Sequence, residues 1–232
     1  MTRSELIKKV ALRMDELTPS SAFSVPVDGI SYQDENPLYA LIDGLADDCA
    51  LELYSIAPYW RLPNTEFAAE SKLIESIDSN DANSRKIIRL KLADDFLRVA
   101  EINCEEFKRP ITEVAPEQSA EGKRQHNRYL MGKETKPVGV LSFAKWLVTP
   151  DNSETPVEQN CREIDCYSLS PDSTLTASGV VATYIAKPAN AESVSDLLMP
   201  SLEWLTAARA FGARGDANHA AICQQNAQNL LV

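Results

Sequence analysis

An α+β fold is predicted: a helical bundle built from the N- and C-terminal helices, with an antiparallel β-sheet or barrel region inserted between them. Three patterns predict it. Apolar residues recur every three or four positions from Leu38 to Ile56, the period of an amphipathic helix. Between residues 86 and 187 the rhythm changes to alternation by twos, with Ile88, Leu90 and Leu92 interleaved with Arg89 and Lys91, as half-buried strands require. After residue 193 the helical spacing returns. These shifts divide the chain into a bundle of residues 1–84 and 189–232 and an inserted β region of residues 85–188.

The first helix starts at a capping box, Thr2 and Glu5, ahead of Leu6, Ile7, Val10, Met14 and Leu17, and ends before Pro19. Lys8, Lys9 and Arg13 form its solvated face. Residues 18–35 are loop, with a short strand around Ala22–Val27. The stretch from Asn36 to Ala57 reads as the spine of the bundle, with Asn36 as cap and Pro37 at the first helical position. Its stripe is Leu38, Leu41, Ile42, Leu45, Cys49, Leu53 and Ile56, while Asp43, Asp47, Asp48 and Glu52 occupy the other side. Gly44 inside this rod predicts a close approach of a second helix. Pro58 ends it.

Tyr59, Trp60 and Arg61, between two prolines, form either a core plug at the helix end or an interface anchor, since Trp, Tyr and Arg carry binding hot spots. Thr65 to Ile77 reads as a further helix capped by Thr65, and residues 79–84 as a surface turn. Asp94 to Arg98 reads as one helical turn. Asp94 and Asp95 do not make a catalytic pair, because adjacent residues point in different directions and no His or Lys stands beside them. About five strands with short connections are expected between residues 86 and 187. Among them lies an extended polar arm, residues 115–136, carrying Lys123, Arg124, Arg128, Lys133 and Lys136. It reads either as a surface loop or as an arm reaching an acidic neighbour, such as another copy of the chain. Pro150 to Gln159 is a polar turn. Near the end, Ser193 and Ser195 are caps for a helix through Leu202, Leu205 and Phe211, kinked or started at Pro200. Asp216 caps a last, alanine-rich helix ending in Leu230, Leu231 and Val232, an apolar tail able to dock on a partner.

Composition narrows the function. A net charge of −11 argues against a broad grip on nucleic acid phosphates, though not against walls that DNA slides past. No apolar run approaches the roughly 18 residues of a membrane span, and the N-terminus lacks an apolar signal core, so the expected compartment is cytosol or something assembled there. The five cysteines include no Cys-x-x-Cys pair, and only two histidines exist, so buried free thiols are expected rather than a zinc site. There is no Gly-rich phosphate loop, no Gly-x-Ser-x-Gly elbow and no His-Glu-x-x-His. His126 and His219 have no evident catalytic partner. No catalytic, cofactor-binding or metal-ligating residue is expected.

An order of segments then points to a family. Leu92-Ala93-Asp94-Asp95-Phe96-Leu97-Arg98 is followed by Lys108-Arg109-Pro110-Ile111, then Gln125-His126-Asn127-Arg128-Tyr129, Lys136-Pro137-Val138, and a closing Leu202-Glu203-Trp204-Leu205-Thr206-Ala207-Ala208-Arg209. Taken together this resembles the head–tail connector (adaptor, or ring) proteins of tailed bacteriophages, notably the short-tailed crAss-like group. The resemblance spans most of the chain; Ala93 stands where the pattern carries proline. It implies a helical bundle with an inserted β region, about twelve copies closed into a ring beneath the portal, and a platform for further ring or tail proteins. It implies no catalysis and no cofactor, with DNA passing through the channel without specific binding and no contact with a membrane. The location implied is the virion head–tail junction, reached from host cytoplasm during assembly. Tyr59, Trp60, Arg61, Lys123, Arg124, Arg128, Tyr129, Leu230 and Leu231 are the interface residues this reading selects. In a ring, the basic arm of one copy would meet acidic helix faces of the next. The alternative is a cytosolic module whose β region binds a peptide or small ligand without catalysis.

Overall fold

The computed structural model describes residues 1–17, 37–77, 85–127, 130–148, 157–170 and 172–231. The strand expected at Ala22–Val27, the turn at 79–84, most of the turn at 150–159, and Arg128, Tyr129 and Val232 lie outside the described residues. The fold is α+β, and its contacts divide into two compact units, Met1–Pro63 with Lys187–Val232, and Asn64–Ala186.

The first unit is helical. Helix α1 (Arg3–Leu17) opens on reciprocal capping bonds, Thr2 N–H to Glu5 Oε2 at 2.9 Å and Glu5 N–H to Thr2 Oγ1 at 3.3 Å. It buries Leu6, Val10 and Met14. Helix α2 (Pro37–Ile56) buries Leu38, Ile42, Ala46, Cys49, Ala50, Leu53 and Tyr54. That line is rotated from the expected stripe: it takes in Ala46, Ala50 and Tyr54, while Leu41 and Leu45 are only partly buried and Ile56 is left exposed.

The element at the centre of this unit is α4 (Met199–Ala213), not α2. It packs on α1, α2 and the last helix, α5 (Ala217–Asn229). Ser201, Leu202, Glu203, Leu205, Thr206, Ala207, Ala208, Ala210 and Phe211 are all buried, so α4 presents no wide solvated face. It begins at Met199, with Pro200 in its first turn and no side-chain cap; Ser193 instead closes a capping box with Asn190 in the preceding turn. Gly215, at φ +82°, turns the chain out of α4, and Asp216 caps α5 by accepting the His219 N–H at 3.1 Å.

Nothing lies within 4 Å of a Cβ built on Gly44, so no close helix approach accounts for it. Gly44→Ala is therefore expected to stabilise α2 by about 0.5–1 kcal/mol, the ordinary helix preference, read as a raised urea midpoint.

The second unit holds eight strands among the described residues, in two sheets. β1 (Thr65–Glu66), β8 (Val180–Ala186) and β4 (Phe96–Cys104) form one, in the order β1-β8-β4, all antiparallel. The other runs β2-β3-β7-β6-β5, from β2 (Lys72–Ile77), β3 (Arg85–Lys91), β7 (Val157–Cys166), β6 (Gly139–Val148) and β5 (Val114–Pro116); only the β5–β6 pairing is parallel. Phe67, Ile88, Leu90, Ile102, Ile164, Cys166, Val180, Ala182 and Tyr184 belong to the shared core.

Three expectations are corrected here. Residues 65–77 are not helical: β2 pairs with β3 over six residues, from Lys72↔Leu90 to Ile77↔Arg85. The partial apolar stripe there fits a strand edge equally well, and only the partner decides. This moves the unit boundary to residue 64. Asp94 and Asp95 form a turn and Phe96 already belongs to β4, so no helical turn intervenes. The described part of residues 115–136 is folded rather than extended. It contains the short helix α3 (Ala120–Gln125), capped by Ser119 Oγ accepting the Gly122 N–H at 3.0 Å. Any Cβ on Gly122 would meet the Pro116 carbonyl oxygen at 2.4 Å, so glycine is required for this close approach. Buried Gln125 then accepts the Gly132 N–H at 2.7 Å, and Met131 packs against the cluster of Ile87, Val140 and Tyr167.

Candidate functional site

After Pro58 stops α2, Tyr59–Arg61 form one 3-10 turn. Leu62 is buried and plugs the helix end, leaving Tyr59 and Trp60 in solvent, 42% and 71% exposed. Their rings meet edge to face, centroids 5.3 Å apart. Arg61 donates to the Leu230 carbonyl at 2.7 Å, which places the end of α5 beside this turn. Ile56 and Leu230 are also exposed, whereas Leu231 is buried and offers nothing to a partner. The aromatic pair is thus a surface feature and not a core plug. Ile56, which the helical stripe assigns to the interior, is exposed three residues before Tyr59.

Lys123 and Arg124 lie exposed on α3 of the other unit. Three of the four acidic residues of α2 already hold arginines of the same chain. Arg3 holds Asp43 at 2.6 Å and Asp47 at 2.5 Å, and Arg209 holds Glu52 at 2.6 Å. Asp47 also accepts the Ala191 N–H at 2.8 Å, and its bond from Arg3 keeps its carboxyl below the usual range. A basic segment would meet these exposed carboxylates in competition with Arg3 and Arg209, and Asp48 without such a competitor among the described residues.

The densest charge cluster among the described residues was not legible in the sequence. Arg89 on β3 stands opposite Asp165 on β7 and donates to its Oδ1 at 2.9 Å, with Glu163 at 3.3 Å and Glu75 of β2 at 2.8 Å. Glu163 and Asp165 are both buried. Burial works against the charged guanidinium, but the bonds and charge of Asp165, with Glu163 and Glu75, hold Arg89 above its ordinary value. Tyr167 donates to Asp165 at 3.3 Å, and burial beside that carboxylate pushes its phenol up. A guanidinium saturated by three carboxylates and a phenol held neutral make a structural tie between strands, not a proton-transfer site.

Among the described residues no group of His, Cys, Asp and Glu could hold a metal ion. All five thiols are free: Cys49, Cys104, Cys166 and Cys223 are buried, Cys161 partly exposed. Burial pushes the thiols of Cys49 and Cys223 up to about 11 and raises those of Cys104 and Cys166. A thiol reagent at pH 8 is expected to label one cysteine rapidly in the native protein and five after denaturation. Rapid labelling of more than one native thiol would contradict this burial.

In unit two, a groove of about 460 Å³ runs beside β5, lined by Arg109, Glu113, Glu121 and Lys136 around backbone from Pro110 to Ala115. No helix among the described residues is long and apolar enough to cross a membrane. No protein-family model matches the chain, and no curated protein sequence is significantly similar to it.

Proposed function

We propose that this chain is a structural ring component of the head–tail connector of a tailed bacteriophage. In this reading about twelve copies close into a ring, which sits beneath the portal and extends the DNA channel. The observation that carries the reading is the solvent-facing Tyr59–Trp60 pair, set at the end of a rigid helix and steadied by the Arg61 bond to Leu230. Exposed aromatics of this kind cost the monomer solubility and return it only on docking. The order of segments from Leu92 to Arg209, similar to connector proteins, supports the same reading. Partners would be the portal, other copies and a further ring or tail protein; DNA would pass without specific binding, and no cofactor or catalysis is involved.

The groove beside β5 favours a second reading, a module that binds a peptide or small ligand in the β unit. Sedimentation of the purified chain, alone and with the portal from the same genome, separates the two. Joining the portal in a fixed, ring-like ratio supports the connector. A monomer indifferent to the portal overturns it and directs a ligand screen to the groove.

A further inference from the structure

β6 and β7 outrun the rest of their sheet. β7 pairs with β3 only from Glu163 to Cys166, with one more backbone bond from the Leu92 N–H to the Arg162 carbonyl. β6 pairs with β5 only from Gly139 to Leu141. Yet the two strands continue together from Phe143↔Arg162 to Val148↔Val157, six paired positions. At about 3.4 Å per residue this is a ribbon of roughly 20 Å. Among the described residues no third strand flanks it. Phe143, at its root, is 73% exposed. A two-stranded ribbon is marginal by itself in water, and beyond the Leu92 bond its two edges have no backbone partner among the described residues.

We propose that this ribbon adds edge-on to β2 in a second copy of the chain, an inference that rests on the ring reading above. β2 is the outermost strand of its sheet, and among the described residues it bonds to β3 alone. Its Lys72–Ile77 edge is six residues long, the length of the ribbon. The β2 of the same chain cannot serve: it lies two strands from β7, about 10 Å across, with β3 between. The opposite edge, β5, has only three residues. One charge pair is available: Arg162 at the ribbon's root is exposed and has no ion pair among the described residues, and the exposed Glu70 stands just before β2, whereas Glu75 is already held by Arg89. Joining two different edges is a heterologous contact, the kind that propagates around a closed ring.

The test is sedimentation velocity on full chains, alone and with the portal. In one variant residues 144–161 are replaced by Asn-Gly, a two-residue hairpin turn that leaves Phe143 and Arg162 as the last pair. A second pair of variants, Glu75→Pro and Ser76→Pro, targets β2. Successive residues turn their N–H groups to opposite sides of a strand, so the variant that keeps the wild-type melting curve has lost the outward donor. The shortened chain and the edge variant should each sediment as monomers, and an equimolar mixture should give dimers that grow no further. Wild-type assemblies from the shortened chain overturn the ribbon contact and leave the ring standing. A wild-type chain that never self-associates, even with the portal, overturns both. Should the shortened chain not fold, the β2 variants decide alone: assembly by the well-folded one overturns the proposal.

Discussion

Trp60→Ala is expected to weaken binding to the portal or to a neighbouring copy at least 30-fold while leaving the monomer's urea midpoint almost unchanged. The asymmetry follows from exposure. Trp60 is 71% accessible, so truncation removes little buried area and costs the fold under about 0.5 kcal/mol. At an interface the same ring would be desolvated, and a hot-spot tryptophan contributes about 2 kcal/mol or more, which is the 30-fold. Tyr59→Ala should act in the same direction but less strongly, because the ring is already partly covered by Trp60. Arg61→Ala tests the support rather than the contact: losing its bond to the Leu230 carbonyl should loosen the turn. Co-sedimentation with the portal reads all three. Unchanged binding in Trp60→Ala would remove this surface from the connector interface.

Arg89→Met is expected to destabilise the β unit by about 3 kcal/mol, the cost of removing one partner from a buried ion pair. Arg89 spans three strands, joining Glu75 of β2 to Asp165 and Glu163 of β7 across β3. Methionine keeps much of the volume, so the loss reports the charge. A double-mutant cycle with Asp165→Asn sharpens the test: the pair should cost clearly less than the two single losses added together, because the second substitution relieves the charge stranded by the first. Urea unfolding followed by a β-sheet signal measures it. Additive losses would show that Arg89 and Asp165 do not share a stabilising contact.

What was readable from residue order is whatever depends on near neighbours. The capping box at Thr2 and Glu5, the stop at Pro58, the helix start around Pro200 and the cap at Asp216 involve residues at most four apart, and their chemistry is complete within one turn. The alternation through Ile88, Leu90 and Leu92 likewise predicts β3. Residues 65–77 escaped because Phe67, Leu73 and Ile74 suit either period, and the choice falls to pairing partners outside the segment, β3 just after it and β8 more than 100 residues on. The Arg89 cluster escaped for the same reason: Arg89 and Asp165 are 76 residues apart and meet only through strand register.

The sequence by itself therefore determined the α+β class, most helix ends and the exclusion of a membrane-spanning helix, since each is written in local period and composition. Tertiary structure alone decided that α4 and not α2 is central, that Gly44 faces open space, that residues 115–127 fold onto a sheet, and that Trp60 stays outside while Leu62 goes in. These are questions of which surfaces face one another. Amphipathic period shows that a helix has a buried side; only packing against particular neighbours settles how much of its circumference they cover.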